Sequence, residues 1–118
     1  MATLSTHTLN SIDGSHAGNI SLTLTQLKPD GSRTMLINAA TDSGGRFKEN
    51  IPLSTEDTAS QFEMVLQTGE YFAAQNVSQG KQILREVVIR FEMPETDGVY
   101  HIPLMLAPHS YSVWWSGE

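Results

Sequence analysis

The sequence predicts an all-β chain, folded as a two-layer β-sandwich of about eight short strands with one short helix. Three observations carry that expectation. Apolar and polar residues alternate at period two in several separate runs, most clearly where Val87, Ile89, Phe91 and Met93 interleave with Val88, Arg90 and Glu92. Turn residues punctuate those runs at Pro29-Asp30-Gly31-Ser32 and Thr41-Asp42-Ser43-Gly44-Gly45. In the last third, Tyr100 to Leu106, a break at Ala107-Pro108 and Tyr111 to Trp115 read as an antiparallel strand pair rich in aliphatic and aromatic residues.

The elements follow in order. Leu4 to Leu9 is a short strand. Ile20, Leu22 and Leu24 alternate with Ser21, Thr23 and Thr25, and Arg33 to Ala39 returns beyond the Pro29 turn as the partner in a hairpin. Asp42 and the paired glycines supply side-chain capping and positive φ for a second turn, after which Phe47 begins another strand. Residues 53–60 are polar and read as loop. Phe62, Met64 and Leu66 mark a half-buried strand that ends at Thr68-Gly69, and Glu70 to Gln75 reads as the short helix. A polar loop leads to the Val87 strand, which Pro94 stops. No internal repeat or linker is visible. A chain of 118 residues is expected to bury about two-thirds of its unfolded surface, which fits one domain over 1–118 with one core.

Composition excludes several functions. The net charge is −6 and the seven Lys and Arg residues are scattered, so neither nucleic acid nor an acidic membrane surface is an expected partner. No apolar run approaches the roughly 20 residues that span a bilayer, and no basic stretch followed by an apolar one opens the chain, so a cytoplasmic protein is expected. The absence of cysteine removes disulfides, thiolate catalysis and thiolate zinc sites, leaving four histidines as nitrogen ligands. A catalytic zinc generally takes three protein ligands, and no carboxylate stands at ligand spacing from the histidines. A metal is therefore not expected.

His101 stands where strand packing favours an aliphatic residue, and a polar group so placed needs a partner or a task. Taken singly, a strand histidine is most often a packed or solvent-facing residue, and an Arg after Gly-Gly is usually a loop charge. His16 and His109 lie in turn-like surroundings and read as surface residues.

The residues together carry more. Leu4-Ser5-Thr6-His7, Thr41-Asp42-Ser43-Gly44-Gly45-Arg46, and Tyr100-His101-Ile102-Pro103-Leu104 with Pro108 and Tyr111-Ser112 resemble, in order and across nearly the whole chain, the transthyretin-like 5-hydroxyisourate hydrolases. Thr68-Gly69-Glu70-Tyr71-Phe72 and Phe91 add support. The resemblance implies a transthyretin-like (prealbumin-like) fold and metal-independent hydrolysis of 5-hydroxyisourate to 2-oxo-4-hydroxy-4-carboxy-5-ureidoimidazoline in urate breakdown. It also implies a homotetramer with active sites between dimers. The family's two histidines fall on His7 and His101 and its arginine on Arg46, while Gly44 stands where the family usually has an acid. Such chemistry needs a proton acceptor near neutral pH and a donor for the developing oxyanion. A planar guanidinium serves an anionic ring as lysine cannot. Which histidine is the base stays open at this point.

The C-terminus departs from that pattern. The hydrolases usually finish Tyr-Ser-Thr-Tyr-Arg-Gly-Ser, whereas this chain reads Tyr111-Ser112-Val113-Trp114-Trp115-Ser116-Gly117. Strand alternation puts Ser112, Trp114 and Ser116 on one face and Val113 and Trp115 on the other, so the two tryptophans are not expected to line one pocket together. By register Trp114 takes the place of the site's tyrosine, and Ser112 and Trp114 are the expected substrate contacts. Trp115 is free to pack between subunits. Two alternatives follow: hydrolysis of an N-methylated hydroxyisourate, with Trp114 packed on the methyl group, or a noncatalytic transthyretin-like binding protein.

Overall fold

A computed structural model describes residues 1–75 and 82–117. Nine strands among them form two sheets. They are β1 (Ala2–Asn10), β2 (Ser21–Leu27), β3 (Arg33–Ala40), β4 (Arg46–Ile51), β5 (Gln61–Leu66), β6 (Val87–Phe91), β7 (Val99–Ala107), β8 (Ser110–Val113) and β9 (Ser116–Gly117). Helix α1 (Thr68–Ala74) follows β5, two residues earlier than the Glu70 start read from sequence. Residues 53–60, read as loop, contain a short 3-10 helix at Glu56–Ala59. The polar loop expected after α1 falls partly on 76–81, outside the described residues.

One sheet runs β4-β1-β7-β8, with β9 also paired to β7, and the other runs β3-β2-β5-β6. Most neighbours are antiparallel, but β1 and β7 are parallel, aligned from Thr3↔Val99 to Asn10↔Leu106. A pair so distant in sequence is invisible to local patterning, although each strand's own alternation is plain. Period two decides which side chains go inward. Leu4 on β1, Leu22 and Leu24 on β2, Phe62, Met64 and Leu66 on β5, and Ile102, Leu104 and Leu106 on β7 form the core between the sheets. Phe72 from α1 joins them.

Two hydroxyls that β1 turns inward are satisfied. The Thr6 hydroxyl donates to the Ile102 carbonyl at 2.6 Å and the Thr8 hydroxyl to the Ala17 carbonyl at 2.6 Å. Without such bonds each buried hydroxyl would cost about 1–3 kcal/mol. The Thr8 bond also fixes the return of the chain after β1, which matters for the site below.

On the outward side of β5, Glu63 accepts from Arg33 Nη2 at 2.9 Å and Arg90 Nη2 at 2.8 Å. Hydrogen bonding from Arg90 and then Arg33 holds its carboxyl below the usual value of 4.5, against the opposing effect of burial. The unfolded chain therefore takes up this proton more readily than the folded one. The stabilisation is present above pH 4.5 and is lost as pH falls through the lower folded value. For Glu63→Gln, the deficit in urea midpoint relative to the parent should be largest near pH 7 and should shrink below pH 4.5. A deficit that stays constant down to pH 3 would refute this account of Glu63.

Candidate active site

The outward face of the β4-β1-β7 sheet collects the chemistry. Residues paired directly across strands point to the same side, so the register reads out who shares it. His7 on β1 stands opposite Arg46 on β4. Ser5, two residues back, stands between Lys48 on β4 and His101 on β7. Because His7 is aligned with Pro103, His101 is its diagonal neighbour on that face. The Ser5 hydroxyl lies 2.8 Å from His101 Nδ1. Three strands remote in sequence thus bring His7, Arg46 and His101 together.

A fourth residue joins them that sequence reasoning left at the surface. After β1 the chain reverses through Ser11 to Ser15, where Asp13 Oδ1 accepts from the Ser15 backbone N–H at 2.9 Å and Gly14 adopts φ 78°. His16 then bridges to Leu9 in antiparallel fashion and extends the row that β4 begins. Leu9 shares a face with His7, so His16 does too. The returning chain packs close against the turn before β4. Gly45 has φ 76°, and a Cβ there would collide with the Thr8 carbonyl, while one on Gly18 would strike the Ser43 backbone. These close approaches set His16 Nδ1 2.8 Å from His7 Nε2, with ring centroids 4.9 Å apart. The Gly44 carbonyl completes a triangle, 3.2 Å from His7 Nε2 and 3.0 Å from His16 Nδ1. His16 is exposed, as its turn-like surroundings imply, but it also belongs to the constellation. The only signal for it in the sequence is a turn short enough to fold back on β1.

The site's charge follows from the same placement. Burial, then the positive charge of Arg46, then His16 lower the His7 pKa below 6.5; the Gly44 hydrogen bond opposes them, and His101 adds a further lowering. His7 is thus a neutral imidazole near pH 7, able to take a proton. Arg46 and Lys48 put two cations on this face of a chain whose net charge is −6. Arg46 enters no ion pair among the described residues. A face with a neutral His7 imidazole, hydroxyls and an unpaired guanidinium suits a small anionic ligand and proton transfer. Among the described residues no group of three His, Asp or Glu side chains is arranged to hold a metal ion.

The C-terminal contacts differ from the sequence expectation. Strand β8 ends at Val113, and Trp114-Trp115 interrupt the ladder before β9 resumes at Ser116. The alternation assumed across that stretch is broken, and both tryptophans line one cavity of about 390 Å³ with Ile89, Phe91, Tyr100 and Ile102. Tyr100 and Ile102 are buried residues of β7's inward side, so Trp114 is placed away from the His101 face. Ser112 pairs with Met105, about 13 Å along β7 from His101 at the ordinary strand rise. Ser116, not Ser112 or Trp114, stands opposite His101.

Comparison with known proteins bears on the family and the fold. The model of the HIUase/Transthyretin family matches residues 4–115. A protein from Mesorhizobium japonicum described as 5-hydroxyisourate hydrolase is 35% identical over 113 residues, covering 94% of this chain and 89% of the relative. Among solved structures, the Klebsiella pneumoniae 5-hydroxyisourate hydrolase superposes with a TM-score of 0.76 at 26% identity, covering 98% of this chain and 99% of that one. An (S)-allantoin synthase superposes with a TM-score of 0.81 at 28% identity, and there the match covers 98% of this chain but only 43% of the other. With the family model spanning almost the whole sequence and the two sheets arranged as in a solved hydrolase, this chain belongs to the HIUase/Transthyretin family.

Proposed function

We propose that this chain, acting as one domain over 1–118, hydrolyses 5-hydroxyisourate to 2-oxo-4-hydroxy-4-carboxy-5-ureidoimidazoline without a metal or organic cofactor. The observation that carries this reading is the convergence of His7, Arg46 and His101 from three strands on one outward face. The curated relatives described as 5-hydroxyisourate hydrolases support it.

Each group has a task in the reaction. A water attacks the acyl carbon of the ring, its oxygen bonds to that carbon, and the carbon–nitrogen bond opens to leave a carboxylate and an N–H. His7, kept neutral by its surroundings, takes the proton of the attacking water and returns it to the departing nitrogen as the carbon–nitrogen bond opens. Arg46 holds the anionic ring and offsets the charge that grows on the carbonyl oxygen. His101, steadied by Ser5 at 2.8 Å, orients the ring from the β7 side, with Ser116 beside it. The methylated-ring alternative depended on Trp114 packing against substrate, and Trp114 stands instead with Tyr100 and Ile102. The binding-protein alternative gives His7 and His101 no task.

We further propose a homotetramer with sites between dimers. Tyr111, Val113, Trp114 and Trp115 are exposed by 43%, 39%, 47% and 61% along the β8 edge, an apolar strip that a second copy would cover. Among the described residues no helix is long and apolar enough to cross a membrane, which is compatible with the cytoplasmic location we propose.

Freshly generated 5-hydroxyisourate, followed by stopped-flow ultraviolet absorbance, should decay far faster with the protein than in a blank. His101→Ala and Arg46→Gln should each lower kcat by about 10²–10³. Wild-type decay no faster than the blank would overturn the hydrolase reading. Exhaustive EDTA should leave the rate unchanged, and a loss restored by added zinc would refute metal independence. The acid limb of kcat/KM should fall below pH 6.5, because His7 works only above its lowered pKa and is lost as pH falls through it. Arg46→Gln removes the neighbouring cation, so the His7 midpoint, followed by NMR titration, should rise toward 6.5. An unmoved midpoint would show that Arg46 does not tune His7.

A further inference from the structure

The hydrolysis as described leaves His16 without a task, yet its Nδ1 is 2.8 Å from His7 Nε2. The three atoms of the His7, His16 and Gly44 triangle have restricted proton counts. A carbonyl oxygen only accepts, and two imidazole nitrogens at that distance cannot both turn an N–H toward each other. One proton therefore serves the triangle. Placed on His7 Nε2, it points at two acceptors at once, His16 Nδ1 and the Gly44 carbonyl at 3.2 Å. His7 Nδ1 then carries the lone pair, and among the described residues no hydrogen bond engages it. Placed instead on His16 Nδ1, the proton also meets two acceptors, His7 Nε2 at 2.8 Å and the Gly44 carbonyl at 3.0 Å, but it ties up His7 Nε2 as an acceptor and leaves an N–H at Nδ1, so that His7 has no lone pair to offer water.

We propose that His16 is a positioning residue for the hydrolytic base: its neutral Nδ1 accepts the His7 Nε2–H, fixing the tautomer in which His7 Nδ1 receives the proton of the attacking water. The role deepens the hydrolase reading and rests on it. When His7 gains the second proton, the imidazolium's Nε2–H stays bonded to two acceptors, one of them backbone and immobile. The stacked rings, 4.9 Å apart, limit rotation of His7 about its side-chain bonds. The arrangement works only while His16 is itself unprotonated, because a protonated Nδ1 donates where it must accept. Two histidines, not one, must then be neutral for turnover. The other charged groups bearing on His7 are Arg46 and Lys48 from β4 and His101 from β7, with Asp42 committed to the backbone N–H groups of Gly44 and Arg46 at 2.9 Å. Of these, only the histidines change charge between pH 5 and 8 in the ordinary course.

The test compares wild type with His16→Ala and His16→Gln. His16 is exposed and its backbone bonds do not involve the ring, so both variants should fold. His16→Ala should lower kcat by about ten- to a hundredfold, by the precedent of histidine-orienting partners, with KM nearly constant. His16→Gln, whose side-chain carbonyl can accept the same proton, should recover most of that loss. The acid limb should be steeper in wild type than in either variant, because in wild type a proton on His16 also removes the acceptor that holds His7. Long-range ¹⁵N–¹H NMR near neutral pH should find His7 protonated on Nε2 in wild type and a mixture of tautomers in His16→Ala. A His16→Ala enzyme with the wild-type kcat and acid limb would overturn the proposal, as would a wild-type His7 protonated on Nδ1. Absence of turnover in the wild type would instead overturn the hydrolase reading, while the tautomer of His7 still decides whether His16 holds it.

Discussion

The site depends on one structural relation, the parallel pairing of β1 with β7. Its register, Ser5 with His101 and His7 with Pro103, joins chain segments 96 residues apart. It decides both what the core contains and what faces outward. Leu4 and Thr6 go in with Ile102 and Leu104, while Ser5 and His7 go out with His101. Because side chains alternate with period two, a slip of one residue would drive the histidines into the core and the leucines into solvent. Burial of the apolar set enforces the register, at roughly 1.5–3 kcal/mol for each large side chain removed from water. The hydrophobic pattern therefore positions the groups of the proposed site without contacting any substrate.

Within that frame, two glycines do what no other residue could. Gly45 adopts a backbone conformation that L side chains rarely take, and both Gly45 and Gly18 lie against backbone that a Cβ would displace. Their absence of side chains lets the turn after β1 and the turn before β4 approach until His16 and the Gly44 carbonyl reach His7. Thr8 ties the two turns from the inward side, bonding the Ala17 carbonyl at 2.6 Å through its hydroxyl and the Gly45 carbonyl at 2.8 Å through its backbone N–H. Loop geometry, not strand geometry, thus sets the surroundings of His7.

This division explains what the sequence makes legible. Alternation in Ile20 to Thr25, Phe62 to Leu66 and Val87 to Phe91 reports which face of each strand is buried, so the strands and the sandwich can be read directly. His7, Arg46 and His101 come from separated motifs, and their meeting on one face requires only that the strands pair in register. His16 is hidden because its role arises from a turn closing back on β1, a contact with no periodic trace. Trp114 misleads for the opposite reason: the alternation that predicts its direction presumes a continuous strand, and the ladder breaks between Val113 and Ser116. Pattern reasoning holds as far as the pattern itself is unbroken.

In the proposed reaction Arg46 links the electrostatics of binding to those of proton transfer. After burial, its charge is the next cause that holds His7 below its ordinary pKa, which leaves the imidazole neutral near pH 7. An anionic ring bound to the guanidinium in that reaction would offset part of that charge, while the water it displaces would deepen the desolvation that is the larger cause of the lowering. The two effects of binding on the proton affinity of His7 therefore oppose one another. Lys48, one row along β4, adds to the attraction for the anion without facing His7 directly. The chain's overall charge of −6 thus gives no guide to its substrate: the local face of β4, β1 and β7 decides, and there the cations outnumber the acids.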